Sequence, residues 1–459
     1  MWSEFENTRN LLRADDSFKN SKSDTLEFLG SLDDSRFASN VLKSRDKLPY
    51  LQPRGGFGLW KKQRELTLEL DKAGADFIPL TIDSHTRQND YRTAKDLLKK
   101  NLLNQSKDLL NGYPLIAHGA EKTRALFTDI NKPISLRHGT PDARILTEVA
   151  LESGITEIEG GGLCYTLPYS KNYPLDRALL NWQYVDKLCA YFSRNERLIH
   201  RESFGPLTST MVPPFMIVVI EVLELLLAAE AGVKSFSYSF SQTGSVNQDL
   251  ATSISIKEIT NKYLNLFKFD DVKTYLVYHQ WMGAFPYENY KADALITQSA
   301  TIGALCNADK IVVKTRSEAF GIPDKAHNAE AIKMSRYAVG ITNSVDLKNE
   351  AILTESAQIS EAADYLLGSI LNIHNGPLWS KVYRAVKMGL IDVPFSPHQE
   401  NANRLWCLRD KNSNIRIADN GKVPLPESFL VYEKKSLGST GQDLSLDRMI
   451  NEILIMSRK

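Results

Sequence analysis

Phe77-Ile-Pro-Leu-Thr-Ile-Asp-Ser-His-Thr-Arg87 and Pro133-Ile-Ser-Leu-Arg137 decide how this chain is read. Each is a short apolar run closed by an arginine, and Tyr50-Leu-Gln-Pro-Arg54 repeats the plan. Runs of this length, bounded by turn residues, read as buried strands. An arginine just past a strand end stands at the rim of a sheet, where α/β folds place their ligands. Arg54, Arg87 and Arg137 converging on one point would make a site for anionic oxygens, because guanidinium forks match carboxylate and phosphate bidentately. Singly, each reads as a surface or structural arginine. Their recurrence in successive strand units is the signal.

The same theme extends from about residue 48 to about 340. Besides the runs Tyr50–Arg54, Asp76–Asp83 and Pro133–Gly139, strands are expected at Tyr113–Gly119, Ile155–Gly162, His200–Gly205, Ser235–Ser241, Thr274–Gly283, Ala292–Thr297 and Lys310–Thr315. Helical patterns lie between them. Leu175–Arg197 is one, with Leu179, Trp182, Leu188 and Tyr191 on its apolar face, and the apolar stretch Phe215–Gly232 is another. Alternating strand and helix over this length predicts a parallel sheet closed as a (β/α)8 TIM barrel. More runs are found than the eight places hold, so two of them are expected to be lead-in or loop segments. Residues 1–47 read as an N-terminal helical extension, 48–340 as the barrel, and 341–459 as a C-terminal α+β tail for assembly. In that tail, helices are expected at Val345–Ile373, Trp379–Met388 and Leu446–Arg458. A small hairpin pairs Leu405–Arg409 with Asn414–Ile417.

Composition narrows the function. Lys+Arg number 56 against 55 Asp+Glu, so no overall field draws the chain to nucleic acid or a membrane. Glu221, Glu224 and Glu230 interrupt the most apolar stretch, making it too polar to span a bilayer. The N-terminus shows no signal-peptide pattern. The four cysteines lack CxxC spacing, which argues against a zinc site and a disulfide framework. A cytoplasmic protein is expected. No metal site is expected either, since the eight histidines form no HxH or HxxxH pair.

Chemistry concentrates at the strand ends. Arg137-His138 stands at the rim before a turn in which Gly139 permits the bend, Thr140 caps a helix, and Pro141 and Asp142 occupy its first turn. Glu159-Gly-Gly-Gly162 follows the next strand; its glycines suit either close approach to a ligand or an ordinary turn. Glu159 among arginines is expected to stay ionised, and either neutralises excess positive charge or holds a substrate ammonium. Tyr165 and Tyr169 add hydroxyls beside it. Lys314 and Glu318, at the last strand's end, read either as a surface ion pair or as functional groups. Three arginines, a glutamate and two tyrosines suit an amino acid with two carboxylates. A phosphate ester suits less well, because no Gly-rich loop ending in Lys-Ser/Thr is present, and no GxSxG elbow marks a nucleophile.

Taken in order, Gln52-Pro-Arg54, Thr81-Ile-Asp-Ser-His-Thr-Arg-Gln-Asn89, Leu110-Asn-Gly112, Arg137-His-Gly-Thr-Pro-Asp142, Glu159-Gly-Gly-Gly162, Trp182-Gln-Tyr184, Val212-Pro-Pro214, His279-Gln-Trp-Met-Gly283 and Gly321-Ile-Pro323 resemble the large catalytic (epsilon, or E) subunit of glutamate mutase, also called methylaspartate mutase. The resemblance runs from about Leu51 to the C-terminus. It implies an adenosylcobalamin-dependent isomerase that exchanges the carbon skeletons of L-glutamate and (2S,3S)-3-methylaspartate by a radical mechanism. By the resemblance, substrate contacts fall on Arg54, Arg87, Arg137, His138, Glu159, Tyr165 and Tyr169, with Glu159, Arg87 and Arg137 the catalytic set. Cofactor contacts fall on Gly56, Asn111, Pro168, Phe285, Lys314, Glu318 and Ile322.

The resemblance also implies a partner. The Asp-x-His-x-x-Gly motif that gives cobalt its histidine is absent; Asp83-Ser-His85 begins like it, but Gln88 stands in place of the glycine. A small cobalamin-binding (sigma, or S) subunit would carry that motif and supply the cobalt ligand, with two copies of each chain forming a heterotetramer. The chain departs from the family pattern at Ser239-Phe-Ser-Gln-Thr-Gly-Ser245 and at Glu202-Ser-Phe-Gly205. A substituted glutamate as substrate, a cobalamin-independent barrel lyase using Glu159 as base, and a non-catalytic binding or assembly homologue stay open at this point.

Overall fold

Among the described residues the barrel region forms eight short strands: β1 (Tyr50–Gln52), β2 (Ile78–Thr81), β3 (Ile134–Arg137), β4 (Glu157–Glu159), β5 (His200–Glu202), β6 (Ser235–Ser241, where aromatic residues alternate with serine), β7 (Lys273–His279) and β8 (Lys310–Val312). The computed structural model describes residues 2–14, 21–45, 48–104, 108–208, 211–321, 323–342, 349–438 and 445–458. All the pairings of these strands are parallel, in the order β1-β8-β7-β6-β5-β4-β3-β2. Backbone bonds from Asp76 to Leu51 (2.9 Å) and from Thr81 to Gly55 (3.1 Å) draw β1 and β2 together, so the sheet is a nearly closed barrel. Helices surround it, as the alternating pattern predicts.

Two expected strands are not strands. Tyr113 makes only an isolated bridge to Ile82, and a short helix, Leu115–His118, begins two residues later. Ala292–Thr297 lies inside the helix Asn289–Leu305. A short apolar run cannot by itself distinguish a strand from a buried helical turn. The helix expected to be capped by Thr140 begins instead at Arg144, whose N–H donates to Asp142 Oδ1 (3.3 Å). Thr140 Oγ1 accepts the Asp142 N–H (3.3 Å), and Asp142 takes a bidentate pair with Arg144. The helix expected over Leu175–Arg197 ends at Phe192.

The helix Pro214–Glu230 is buried along almost its whole length, and no described helix is long and apolar enough to cross a membrane. Its glutamates have specific work. Glu224 accepts the backbone N–H groups of Leu163 (2.7 Å) and Cys164 (2.9 Å), and Glu221 accepts the Ser203 hydroxyl. Both therefore fix loops at the C-terminal ends of strands, because a buried carboxylate must find donors.

The expected junction at 47 falls outside the described residues, as does the start of the helix expected from Val345; its described part is Glu350–Leu371. Before the barrel stand helices Trp2–Leu12, Lys22–Ser31 and Ala38–Lys43. After it, β9 (Trp406–Arg409) and β10 (Ile415–Asp419) pair antiparallel, and Leu378–Met388, Glu427–Leu437 and Leu446–Ile453 are helical. The last helix is interrupted at Leu454 before Ile455–Arg458.

Candidate active site

Parallel strands carry their last side chains to one end of the barrel. Arg137 closes β3, Glu159 closes β4, Glu202 closes β5 and His279 closes β7. These groups meet there. Arg137 Nη2 donates to Glu159 Oε1, and Nη1 donates to Glu202 Oε1 (3.1 Å). The Tyr165 hydroxyl donates to Glu159 Oε2. Below, the fully buried Lys310 of β8 donates to Gln52 Oε1 (2.7 Å) and Glu157 Oε1 (2.7 Å) and pairs with Glu202 Oε2 (2.5 Å). A relay of alternating charge thus runs Lys310–Glu202–Arg137–Glu159.

This relay changes the reading of Glu159. Burial, with Glu202 nearby, outweighs Arg137 and pushes the Glu159 carboxyl up to about 7. The expectation that the arginines keep it ionised is therefore corrected: in the ligand-free protein it sits near its own titration at neutral pH.

Arg54 and Arg87 differ from Arg137. They make no ion pair among the described residues. Arg54 reaches only the Met282 sulfur (3.8 Å), and Arg87 Nε donates to the Ile82 carbonyl (2.6 Å). They are close enough to act on each other and on the Tyr169 hydroxyl. Burial pulls Arg87 down, with Arg54 adding to the effect. Two cations without carboxylate partners beside a paired third leave room for an anionic ligand.

Aromatic rings wall the site. His138 stacks on Trp182 (5.7 Å, 4°) and meets Tyr165 edge-on (4.9 Å, 75°), and Tyr165 packs against Tyr169 and Phe204. His138 Nδ1 accepts the Thr140 N–H (3.2 Å), while Nε2 makes no hydrogen bond among the described residues. Burial and the neighbouring Arg87 and Arg201 hold this imidazole neutral, so Nε2 carries the proton in that tautomer. A cavity of about 310 Å³ opens beside it, lined by Ser84, Arg87, Asn89, His138 and Tyr169 among others.

The glycines of Glu159-Gly-Gly-Gly162 answer to packing within the protein. A Cβ on Gly160 (φ +121°) would lie 2.3 Å from the Tyr165 ring, and one on Gly161 would lie 2.4 Å from the Glu224 carboxylate. Gly56 is likewise required: its Cβ would stand 2.2 Å from the Thr81 carbonyl oxygen.

Around the rim, a second cavity of about 170 Å³ is lined by Arg54, Gly56, Asn111 and Glu318 among others. Lys314 pairs with Glu318 and lies 5.8 Å over the Phe285 ring. Lys314 is buried, so this is no surface pair; burial brings it down to about 8 against the pull of Glu318. For Glu318 burial pushes upward, but Lys314 and Arg54 prevail and lower it. Pro168 is half-buried on the turn Thr166–Tyr169 and lines neither cavity. Ile322 lies outside the described residues.

Residues 33–458 match the family described as Methylaspartate mutase E chain (MutE). This chain belongs to that family. The Treponema denticola protein named glutamate mutase epsilon subunit is 35% identical over 418 residues, covering 90% of this chain and 86% of its own. Its namesake in Escherichia coli O157:H7 is 36% identical over 397 residues, covering 86% and 82%. The Haloarcula marismortui namesake is 33% identical over 435 residues, covering 94% and 88%.

Sequence reasoning missed Glu202, Lys310 and His279 as site residues. A signal existed for the first two. A charged residue inside a buried strand needs a partner, and Lys310 and Glu202 both occupy such positions. Glu159, Glu202 and His279 also bring ligand atoms within 4.8 Å of one another, as a metal site would. Both carboxylates, however, already engage Arg137 or Lys310.

Proposed function

We propose that this chain is the catalytic subunit of a cytoplasmic glutamate mutase, an isomerase exchanging the carbon skeletons of L-glutamate and 3-methylaspartate. The observation that carries the reading is Glu159: buried, bonded to Arg137 and Tyr165, and flanked by the unpaired Arg54 and Arg87. An amino dicarboxylate complements this set. Its carboxylates suit Arg54 and Arg87, and its ammonium suits Glu159, which such a cation would pull back into the ionised form. Arg137 keeps further N–H donors beyond those spent on Glu159 and Glu202. The aromatic wall would hold fragments in place, as a reaction that divides its substrate requires.

The rim fits the periphery of adenosylcobalamin. Gly56 lines the rim cavity, Asn111 offers an amide whose Oδ1 already takes the Ser84 N–H (2.9 Å), and Lys314–Glu318 offers a donor and an acceptor for hydroxyls. Phe285 lies beneath Lys314, and Pro168 and Ile322 complete the proposed set. Bound there, the cofactor supplies the carbon radical that starts the exchange. Asp83 accepts the N–H groups of His85 and Thr86 (3.0 Å each), so it acts as a helix cap. The cobalt ligand would come from a small subunit bearing Asp-x-His-x-x-Gly, within a heterotetramer.

The test is turnover by the purified chain with adenosylcobalamin, before and after adding that small subunit. No product alone and methylaspartate, identified by mass and retention time, after addition is expected. Mutase activity without the subunit would overturn the division of labour. A second reading, a lyase using Glu159 as base, draws on its position near pH 7. Ammonia release without cofactor would favour it.

A further inference from the structure

His279 closes β7, paired in register with Ser241 and Val312, and its side chain is 1% exposed. Neither ring nitrogen has a hydrogen-bond partner among the described residues. Its ring is set by an edge-on contact with Phe204 (5.5 Å, 84°), so its orientation depends on packing rather than on polar partners. A ligating nitrogen lies within 4.8 Å of carboxylate oxygens of Glu159 and Glu202, yet bonds to neither. His200 of β5, also buried, differs: it meets Ser235 and Ser237 through its two nitrogens, at 2.8 Å each. An imidazole that gives up water and gains no partner is costly to keep, and its place in a ligand site is the natural reason for it.

The surroundings indicate the ligand's charge. Arg137, Arg54, Lys310 and Lys314 act on His279 and, together with burial, hold it neutral. Glu157, Glu202 and Glu318 take up Lys310 and Lys314, and Glu159 and Glu202 take up Arg137, leaving Arg54 as the one of the four without an ion pair among the described residues. An anionic oxygen drawn to Arg54 would enter the space shared with His279. A neutral N–H can bind that oxygen without adding to a site already rich in positive charge.

We propose that His279 is a further substrate-contacting residue, its imidazole N–H donating to the carboxylate of the amino dicarboxylate that Arg54 holds. This rests on the glutamate mutase reading above. It assigns a role to the His279-Gln-Trp-Met-Gly283 segment, whose Gln280 is already committed to the Ile296 carbonyl and to Lys314 N–H.

The test compares the parent, His279→Phe and His279→Asn as assembled holoenzymes with the small subunit and adenosylcobalamin. Phe keeps the ring's shape and removes both nitrogens; Asn keeps a donor on a shorter side chain. His279→Phe should melt at or above the parental temperature, since an unpaired polar ring gives way to an apolar one. It should lose at least tenfold in kcat/KM for L-glutamate, mainly through KM, with cofactor affinity unchanged. His279→Asn should recover part of that loss. Parental kinetics in His279→Phe would overturn the inference, as would lower melting accompanying the kinetic loss, which would make the residue structural. A loss of cofactor affinity in place of the KM effect would overturn it too, as would stabilisation of the parent but not of His279→Phe by added zinc. A parent that does not turn over L-glutamate overturns the underlying reading and this inference with it. A parent that does, matched by His279→Phe, overturns this inference alone.

Discussion

Two buried arginines gather carboxylates in this protein, and they do so to opposite ends. In the tail, Arg416 of β10 donates to Asp410 (2.9 Å), Glu355 (2.7 and 3.0 Å) and Glu433 (3.0 Å). The remaining oxygens are taken as well: Tyr432 and Gln248 donate to Glu355, and the Ile417 N–H donates to Glu433 (2.6 Å). That network closes on itself and ties β10 to three helices. At the barrel rim, Arg137 holds Glu159 and Glu202, but its neighbours stay open. Among the described residues, Arg54 and Arg87 make no ion pair, and His138 and His279 keep ring nitrogens without a hydrogen bond. Proteins seldom leave buried polar groups unmatched. A saturated network is a joint; an unsaturated one marks where something else must bind.

The sharpest way to break this contrast is to remove the tail arginine. Arg416→Met leaves three carboxylates buried around an apolar side chain. Breaking a buried pair by deleting one partner costs about 3–5 kcal/mol. Urea denaturation should show a loss of that order, while kcat/KM of the folded protein, assayed with the small subunit, stays parental. A catalytic defect at undiminished stability would mean that the tail network reaches the site.

Glu159→Gln should do the reverse. Shape and one acceptor remain, but the ionised form is gone. A fall of about 10²-fold in kcat is expected, as positioning and proton-transfer groups typically give, with no loss of stability. The pH dependence adds a second reading. Parental kcat/KM should rise with pH through about 7 as Glu159 ionises, and the variant should lose that limb. For stability the sign is opposite. The folded pKa is raised, so the contribution of Glu159 is complete below its ordinary value of 4.5 and is lost as pH rises through about 7. The variant should flatten part of that decline; Glu433, which burial also pushes up to about 7, keeps its share. Unchanged melting and turnover across this range would leave Glu159 without a role.

Much of this contrast was legible before folding was considered. Arg54, Arg87 and Arg137 could be placed at one rim because each closes an apolar run, and strand periodicity alone brings such ends together. The barrel followed from the same repetition. Its errors arose where periodicity is silent: Ala292–Thr297 is a short run ending in Leu295, Ile296 and Thr297 that lies inside a helix. The partners of Arg137 were harder to read. Glu202 and Lys310 are far apart in sequence and meet only across the barrel's interior. The charge state of Glu159 depends on burial and on Glu202, neither of which any local pattern records. The glutamates of Pro214–Glu230 were visible as interruptions of an apolar run, but their backbone partners were not.

Arg87→Lys sharpens the contrast at smaller scale. Lysine keeps the charge and loses the planar fork. Because Arg87 has no carboxylate partner to lose, stability should hold. The carboxylate contact should weaken by about 1.5–3 kcal/mol, at least tenfold in kcat/KM. Parental kinetics would make this arginine structural.

The finest comparison deletes the same atom in each network. Tyr432 donates its hydroxyl to Glu355 (2.7 Å) in the tail, and Tyr165 donates its hydroxyl to Glu159 at the rim. Tyr432→Phe removes one of several donors from a carboxylate that keeps Arg416 and Gln248. A loss of about 0.5–1.5 kcal/mol is expected, the usual net worth of one hydrogen bond, with kinetics untouched. Tyr165→Phe removes the donor on the Glu159 oxygen not bonded to Arg137. Without that donor the ionised carboxylate is less well held, so the rise of kcat/KM with pH should move to higher pH while the melting temperature changes little. Identical effects of the two substitutions on stability and on the pH profile would mean that the rim is as closed as the tail, and the distinction between joint and site would fail.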